Sequence, residues 1–309
     1  MSKGFEMSLK AIFTMIAGVV ILIFFVNFAL EQKSVKEEIN LRESVTSLDD
    51  QLDAFAISES SSKTINFPDK ARIDFRCEDI EAEGYSKGDE KIIFSDDIDS
   101  NEIRAWTLAW DFPFEIANFF YLTDNRRFLL VYNQNSFEFV NSLDFPKAFN
   151  VQKQELRFFD AERLDKEIGD NKITIAFFVP VNPSETKQKL KNADIIVVDT
   201  ENDELNINGE NDFYLGKEML LGALFDPKEY GCLKSKAMTR LKDITLIYSG
   251  KASLLSQKSD QKCRNYLFEA KNSLETFKRQ DDNEGLYKMK EKIEKQNREL
   301  EKNGCKKIY

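Results

Sequence analysis

The sequence contains no histidine, and that absence removes more chemistry than any other feature of its composition. Without imidazole there is no Ser-His or Cys-His nucleophile, no histidine-ligated metal, and no imidazole acid or base near neutral pH. Glycine is scarce too: twelve residues, scattered, form no phosphate loop, nucleophile elbow or dinucleotide fingerprint. Gly216-Lys217-Glu218 stands outside any GxxxxGK frame. A basic excess is also missing. With 44 basic and 54 acidic residues the net charge is −10, which argues against nucleic acid as a partner. The same acidity opposes anionic lipid headgroups, so little membrane contact is expected beyond an anchor. No Asn-x-Ser/Thr acceptor exists, since Asn182-Pro183-Ser184 is blocked by its proline. An enzyme made from what remains would work through carboxylates, lysines or an unusual nucleophile, and no cofactor motif is present. The composition favours a non-enzymatic binding or assembly role.

What is present begins with an apolar run. Residues 11–30 read AIFTMIAGVVILIFFVNFAL without a charge, between Lys10 and Glu31. A helix of this length spans about 30 Å, the thickness of a bilayer core. A removable secretory signal would have a shorter core and an A-x-A-like cleavage site. The run is therefore expected to stay as a single-pass anchor in the lipid bilayer, preceded by a short tail over residues 1–10.

Lys3-Gly4-Phe5-Glu6-Met7, followed by Ser8-Leu9-Lys10 and the apolar run, resembles the class III signal of archaeal type IV pilin-like proteins. The resemblance covers about the first thirty residues. It implies cleavage by a prepilin peptidase between Gly4 and Phe5, with the apolar helix kept as anchor or filament core. Glu6 is the second residue after that cut and Leu9 the fifth, where bacterial pilins carry a glutamate. Lysines and arginines on the two sides of the run, Lys3 and Lys10 against Lys33, Lys36 and Arg42, do not decide the orientation. The pilin-like start and the even cysteine count favour a C-terminal domain outside the cytoplasm, at the cell membrane.

Residues 31–57 are strongly charged, yet Leu41, Val45, Leu48, Leu52 and Phe55 recur at helical spacing. This amphipathic helix is either a stalk, a surface for self-association with a second copy, or a helix packed on its own domain. The serine-rich stretch 58–62 reads as a linker. Residues 63–227 then read as an α/β domain. Short alternating runs at Arg72 to Cys77, Ala82 to Ser86 and Lys91 to Phe94 suggest a meander or hairpins, and the aromatic stretch from Trp106 to Leu122 reads as core in preference to a ligand platform. Phe128 to Tyr132, Ile173 to Val179 and Ile195 to Asp199 are runs of strands buried on both faces, with a helix from Ser184 to Asn192 between the last two. That order implies a parallel βαβ unit in a mixed sheet. Leu205 to Asn208 reads as an antiparallel edge strand and Leu215 to Phe225 as a helix returning to the sheet. From residue 228 to 309 the period is helical throughout, which suggests an antiparallel hairpin or three-helix layer.

In open α/β sheets ligands bind beyond the carboxyl ends of the parallel strands. Those ends carry Asn133, Asn135 and Ser136, then Asn182 and Ser184, then Asp199, Glu201 and Asp203. The three alternate carboxylates are the candidate site for calcium or magnesium, and with it a divalent-metal enzyme is the alternative function. The spacing is not that of an EF-hand, so a solvated acidic turn competes with this reading. Finally, the four cysteines are too far apart for a zinc knuckle or CxxC motif and suggest two structural disulfides. If the last two helices form a hairpin, the midpoint of Cys263 and Cys305 falls in the turn at Asp281 to Gly285, so these two should meet at its open end. Cys77 and Cys232 then pair by elimination.

Overall fold

The computed structural model describes residues 19, 22–27, 45–57, 60–82, 85–168 and 172–309. The Gly4–Phe5 position, most of the 11–30 run and residues 31–44 lie outside them. Residues 19 and 22–27 are helical and exposed, and among the described residues no helix is long and apolar enough to cross a membrane.

Two six-stranded sheets form the domain. The first contains β1 (Ser60–Phe75), β2 (Asp79–Ala82), β3 (Tyr85–Gly88), β4 (Ile92–Ser95), β5 (Ile98–Asp111) and β6 (Glu115–Thr123), in the order β3-β2-β1-β5-β6-β4. Its pairs are antiparallel except β4 with β6. The second contains β7 (Arg127–Tyr132), β8 (Asn150–Glu155), β9 (Ile173–Phe177), β10 (Ala193–Asp199), β11 (Glu204–Ile207) and β12 (Glu210–Phe213), in the order β12-β11-β10-β9-β7-β8. Four of these strands are parallel, and β11 and β12 add an antiparallel margin.

The period of two along a strand explains why the central strands read as unbroken apolar runs. In β6, Phe119 and Tyr121 enter one core while Phe120 and Leu122 enter another. In β7, Phe128 and Leu130 likewise face away from Leu129 and Val131. Each sheet is thus covered on both faces. Between the sheets lies α5 (Gly216–Phe225), whose residues Met219 to Phe225 are all buried, as a helix apolar all round must be. The Phe225 ring lies 5.2 Å from Tyr121 of the first sheet and 4.8 Å from Phe128 of the second. Gly222 allows the close approach: a Cβ there would come within 2.5 Å of the buried Phe94 ring. Gly222→Ala is therefore expected to destabilise the fold by about 2 kcal/mol through overpacking, seen as a lower urea midpoint at unchanged m-value.

The outer faces are covered by helices. The helix over residues 45–55, α1, sets Val45, Leu48 and Leu52 against Ile65, Ile73 and Ile103 of the first sheet. Of the readings open for this apolar stripe, residues 45–55 follow the one in which the helix packs on the chain's own sheet. On the second sheet, Leu164 and Ile168 of α3 (Ala161–Ile168) and Leu190, directly after α4 (Pro183–Lys189), share a core with Leu129, Val131 and Ile175, with α2 (Phe137–Asn141) following β7. The C-terminal layer comprises α6 (Tyr230–Lys258), α7 (Gln261–Phe277) and α8 (Asn283–Lys302). Asp260 and Asp282 cap the last two, accepting from the Cys263 and Gly285 amides. The layer closes over the β5–β6 hairpin: Phe112 meets Phe277 and Tyr287, and Phe114 meets Tyr248 and Tyr309.

Three expectations need correction. The serines expected to form a linker enter β1 at Ser60, where pairing with Leu108, Thr107 and Trp106 supplies ladder hydrogen bonds that outweigh their low strand propensity. The sheet expected to be single is two. The strand from Glu204 to Ile207 is not an edge, because Asn208 and Gly209, both at positive φ, turn the chain into β12 outside it. The aromatic stretch Trp106 to Leu122 forms the β5–β6 hairpin and is core as expected: Trp110, Phe112, Phe119 and Tyr121 are all buried.

Candidate functional site

The carboxyl ends of the parallel strands do not assemble a ligand site from the residues that sequence reasoning placed there. The Asn133 carboxamide oxygen accepts from the amides of Asn135 and Ser136, so it is spent on its own turn. Asn182 accepts from the Ser184 and Glu185 amides and caps α4. Asp199 accepts from the Glu201 and Asn202 amides at 2.9 and 3.2 Å and from the Asn202 side chain at 2.7 Å. These hydrogen bonds, the Asn202 side chain first, lower its pKa. Asp203, at φ 55°, turns toward the helical layer, where burial and its negative charge raise the pKa of Tyr214 and Tyr287. Asn283 donates to the Asn202 carbonyl at 2.8 Å and fastens the acidic turn to the start of α8. Glu201 is exposed beside them. Among the described residues the one trio of carboxylate or sulfur donors lying within 4.8 Å of each other is Cys77, Glu78 and Cys232, where the two sulfurs are bonded to each other.

The strongest polar constellation lies at the opposite ends of the same strands. Arg126, directly before β7, is buried, and its Nη2 donates to Asp96 at 2.7 Å and to Asp194 at 3.0 Å. Asp96, in the connection between β4 and β5, also accepts from Lys172 at 3.1 Å and Lys228 at 2.8 Å. Burial alone would raise the Asp96 pKa; Arg126, Lys228 and Lys172 overcome that and hold it at about 2. Asp226, at the end of α5, is 2% exposed and accepts from the Glu229 amide with one oxygen, while the other has no partner. Burial, with Asp96 and Glu229 nearby, pushes its pKa up to about 7. The network pins together the first sheet, the second sheet and the α5–α6 junction. Beside it opens a cleft of about 640 Å³, rimmed by Asp97, Asp99, Asp124 and Glu167 as well as Arg127 and Lys172.

No family model, curated protein or solved structure matches this chain. The reading of the site therefore rests on its own chemistry. Perturbed carboxylates in a cleft mark either catalysis or a structural ion network. Here the cations are bonded to carboxylates, and Asp226 lies beneath the surface away from the cleft lining, so the arrangement suits mechanical fastening. Arg126→Met leaves Asp96 and Asp194 facing each other without their shared cation. Since Asp96 keeps two lysines, the expected loss is roughly 3 kcal/mol at pH 7, measured by urea unfolding; a loss below about 1 kcal/mol would show the pair to be idle.

A second network was equally hidden from sequence. Lys91, mostly buried, is held by Asp49 of α1, by Asp53 at 2.8 Å and by Asp89 at 3.5 Å. Burial opposes its charge, but these carboxylates raise its pKa. Lys87 reaches the same Asp49 carboxylate, so α1 is tied to its sheet by charge as well as by leucines.

Both disulfides are present. Cys263 and Cys305 lie 5.6 Å apart at Cα, at the open end of the α7–α8 hairpin. Cys77 joins Cys232 at the start of α6 with Cα atoms 6.0 Å apart; Cys77 lies in the turn after β1 and not on a strand. Lys236 donates to the carbonyls of Cys77 and Asp89 and buttresses this bridge.

Proposed function

We propose that this chain is a membrane-anchored domain displayed outside the cytoplasm, acting in binding or assembly at the cell surface and not as an enzyme. The 11–30 run would hold it in the bilayer, and a prepilin-like cut after Gly4 would mature it. The observation that supports this best is the pair of disulfides, one joining the first sheet to the helical layer and one closing the tail. Structural disulfides persist in oxidising compartments and are rare in the cytosol. The locally consumed polar groups at the strand ends agree with a scaffold more than with a catalyst.

Intact-mass measurement of protein taken from native membranes tests the reading. Alkylation under denaturing conditions should add nothing before reduction and four groups after it. Loss of Met1 to Gly4 in the same spectrum would support pilin-like processing, and an intact terminus would remove that part. Four thiols free before reduction would sink the extracytoplasmic placement.

A further inference from the structure

The acidity of the chain as a whole conceals an apolar stripe bordered by lysines. On α6, Leu241, Thr245, Ser249 and Ala252 are buried along one side. At 3.6 residues per turn, Leu246, Ile247, Gly250 and Leu254 fall on the opposite side. The three large ones are 53%, 64% and 62% exposed, far beyond what scattered surface residues of a packed helix require. A Cβ at Gly250 would meet nothing within 4 Å, so this side of the helix is open. Lys251 and Lys258 border the stripe. On α7, Phe268 is 58% exposed, opposite buried Cys263, Leu267, Ala270 and Leu274. From residue 243 to 275 the charges are Lys251, Lys258, Lys262, Arg264 and Lys271 against Asp243, Asp260, Glu269 and Glu275, with Asp243 exposed at the N-terminal end of the stripe and Lys271 paired with Glu275 at 3.6 Å, so the basic part is the turn end of the hairpin. Asp260 is engaged in capping α7. Among the described residues, Lys251, Lys258 and Lys262 have no acidic partner.

From this surface we infer that the outward side of the α6–α7 hairpin rests on an anionic bilayer, its leucines and Phe268 entering the interface while the lysine stems reach back to the headgroups. An exposed apolar stripe bordered by lysines is the pattern of interfacial helices. Charge complementarity selects anionic lipid, each lysine near such a surface adding to the attraction. Tethering makes a weak patch sufficient. If the 11–30 run is an anchor, as proposed above, residues 31–44 span at most about 50 Å when fully extended, so the domain stays tethered within reach of the membrane. The inference rests on that anchored reading only for its strength, because the patch has its own lipid chemistry.

The full-length protein is reconstituted in vesicles of zwitterionic lipid, or of zwitterionic lipid with anionic lipid, each carrying bromine on the upper acyl chain. Leu254→Trp and Phe268→Trp report contact through quenching; Phe158→Trp, on the exposed turn after β8, is the control, and the native Trp106 and Trp110 are buried. With anionic vesicles, Leu254→Trp and Phe268→Trp should be quenched at least about twofold more than the control, and Lys251→Glu with Lys258→Glu should abolish the difference. Flotation with zwitterionic vesicles reports the anchor separately. Flotation without extra quenching overturns the patch and leaves the anchor standing. Quenching that depends entirely on anionic lipid, with no zwitterionic flotation, upholds the patch and overturns the anchor. Absence of both overturns both. A concentration-dependent blue shift of Leu254→Trp in detergent, without bromine quenching, would assign the face to a second copy and overturn the lipid proposal.

Discussion

Replacing Cys77 and Cys232 together with alanine should lower the unfolding free energy by about 5 kcal/mol, the larger of the two disulfide effects. The two cysteines are 155 residues apart, so the bridge restrains about half of the unfolded chain. In the chain-entropy treatment the gain grows with the logarithm of the loop, and the Cys263–Cys305 loop, with a separation of 42, should be worth about 4 kcal/mol. Alanine is the better replacement because Cys77 is buried and a serine hydroxyl would be stranded. The local fold should survive the change, since Lys236 still holds the Cys77 and Asp89 carbonyls. Urea unfolding of oxidised parent and double variant measures the difference. A loss under about 1 kcal/mol would mean that the unfolded chain already keeps these two segments close without the bridge. The same bridge carries the proposed placement outside the cytoplasm, because a chain that owes this much of its stability to one disulfide would lose that share in a reducing compartment.

What the sequence reveals and what it hides follow from how far each interaction reaches along the chain. The α7–α8 hairpin is local, so the turn at Asp282 and the two helical periods were enough to bring Cys263 to Cys305. The β9–α4–β10 unit was legible for the same reason: Asn182 caps the helix two residues before Ser184, and apolar runs flank it. Partition into two sheets was not legible. An apolar run such as Phe119 to Leu122 says that both faces are buried, but not which sheet it joins or what lies on each face. The helix placed between the sheets was visible as an apolar segment, yet its two-sided burial depends on Phe94 and Phe128, which come from different sheets. At the sites, the alternate carboxylates 199, 201 and 203 fitted either a cation site or a solvated acidic turn, because a one-dimensional pattern cannot show that Asp199 accepts from the amides of its own turn. The Arg126 network was missed for the converse reason. Asp96, Arg126, Lys172, Asp194 and Lys228 stand on five separate segments and share no motif, and the one signal in the sequence was the pair Arg126-Arg127 directly before the apolar run Phe128 to Tyr132.

Within that network, Asp226 should make the protein lose stability as pH rises from about 4 to about 7, by roughly 4 kcal/mol in all. Its carboxyl is 2% exposed, one oxygen accepts from the Glu229 amide, and the other meets no donor. Burial first, then the negative charges of Asp96 and Glu229, raise its pKa from 3.8 to about 7. In that window the folded state keeps a proton that the unfolded chain has already released, so each unit of pH favours unfolding until the folded carboxyl also ionises. Asp96 acts in the opposite sense and in a different window: its pKa of about 2 gives stability that is present above about 4 and lost only below it. The two effects therefore separate on the pH axis. Asp226→Asn keeps an acceptor for the Glu229 amide and removes the ionisation. Its stability should match the parent near pH 4, exceed it by up to about 4 kcal/mol at pH 8, and decline less between them, keeping only the part due to other buried carboxyls such as Glu218, whose pKa burial also raises. Urea unfolding at unit steps of pH resolves this directly. Parallel curves for parent and variant would show that Asp226 titrates as it does in the unfolded chain and that the junction is wetter than its packing implies.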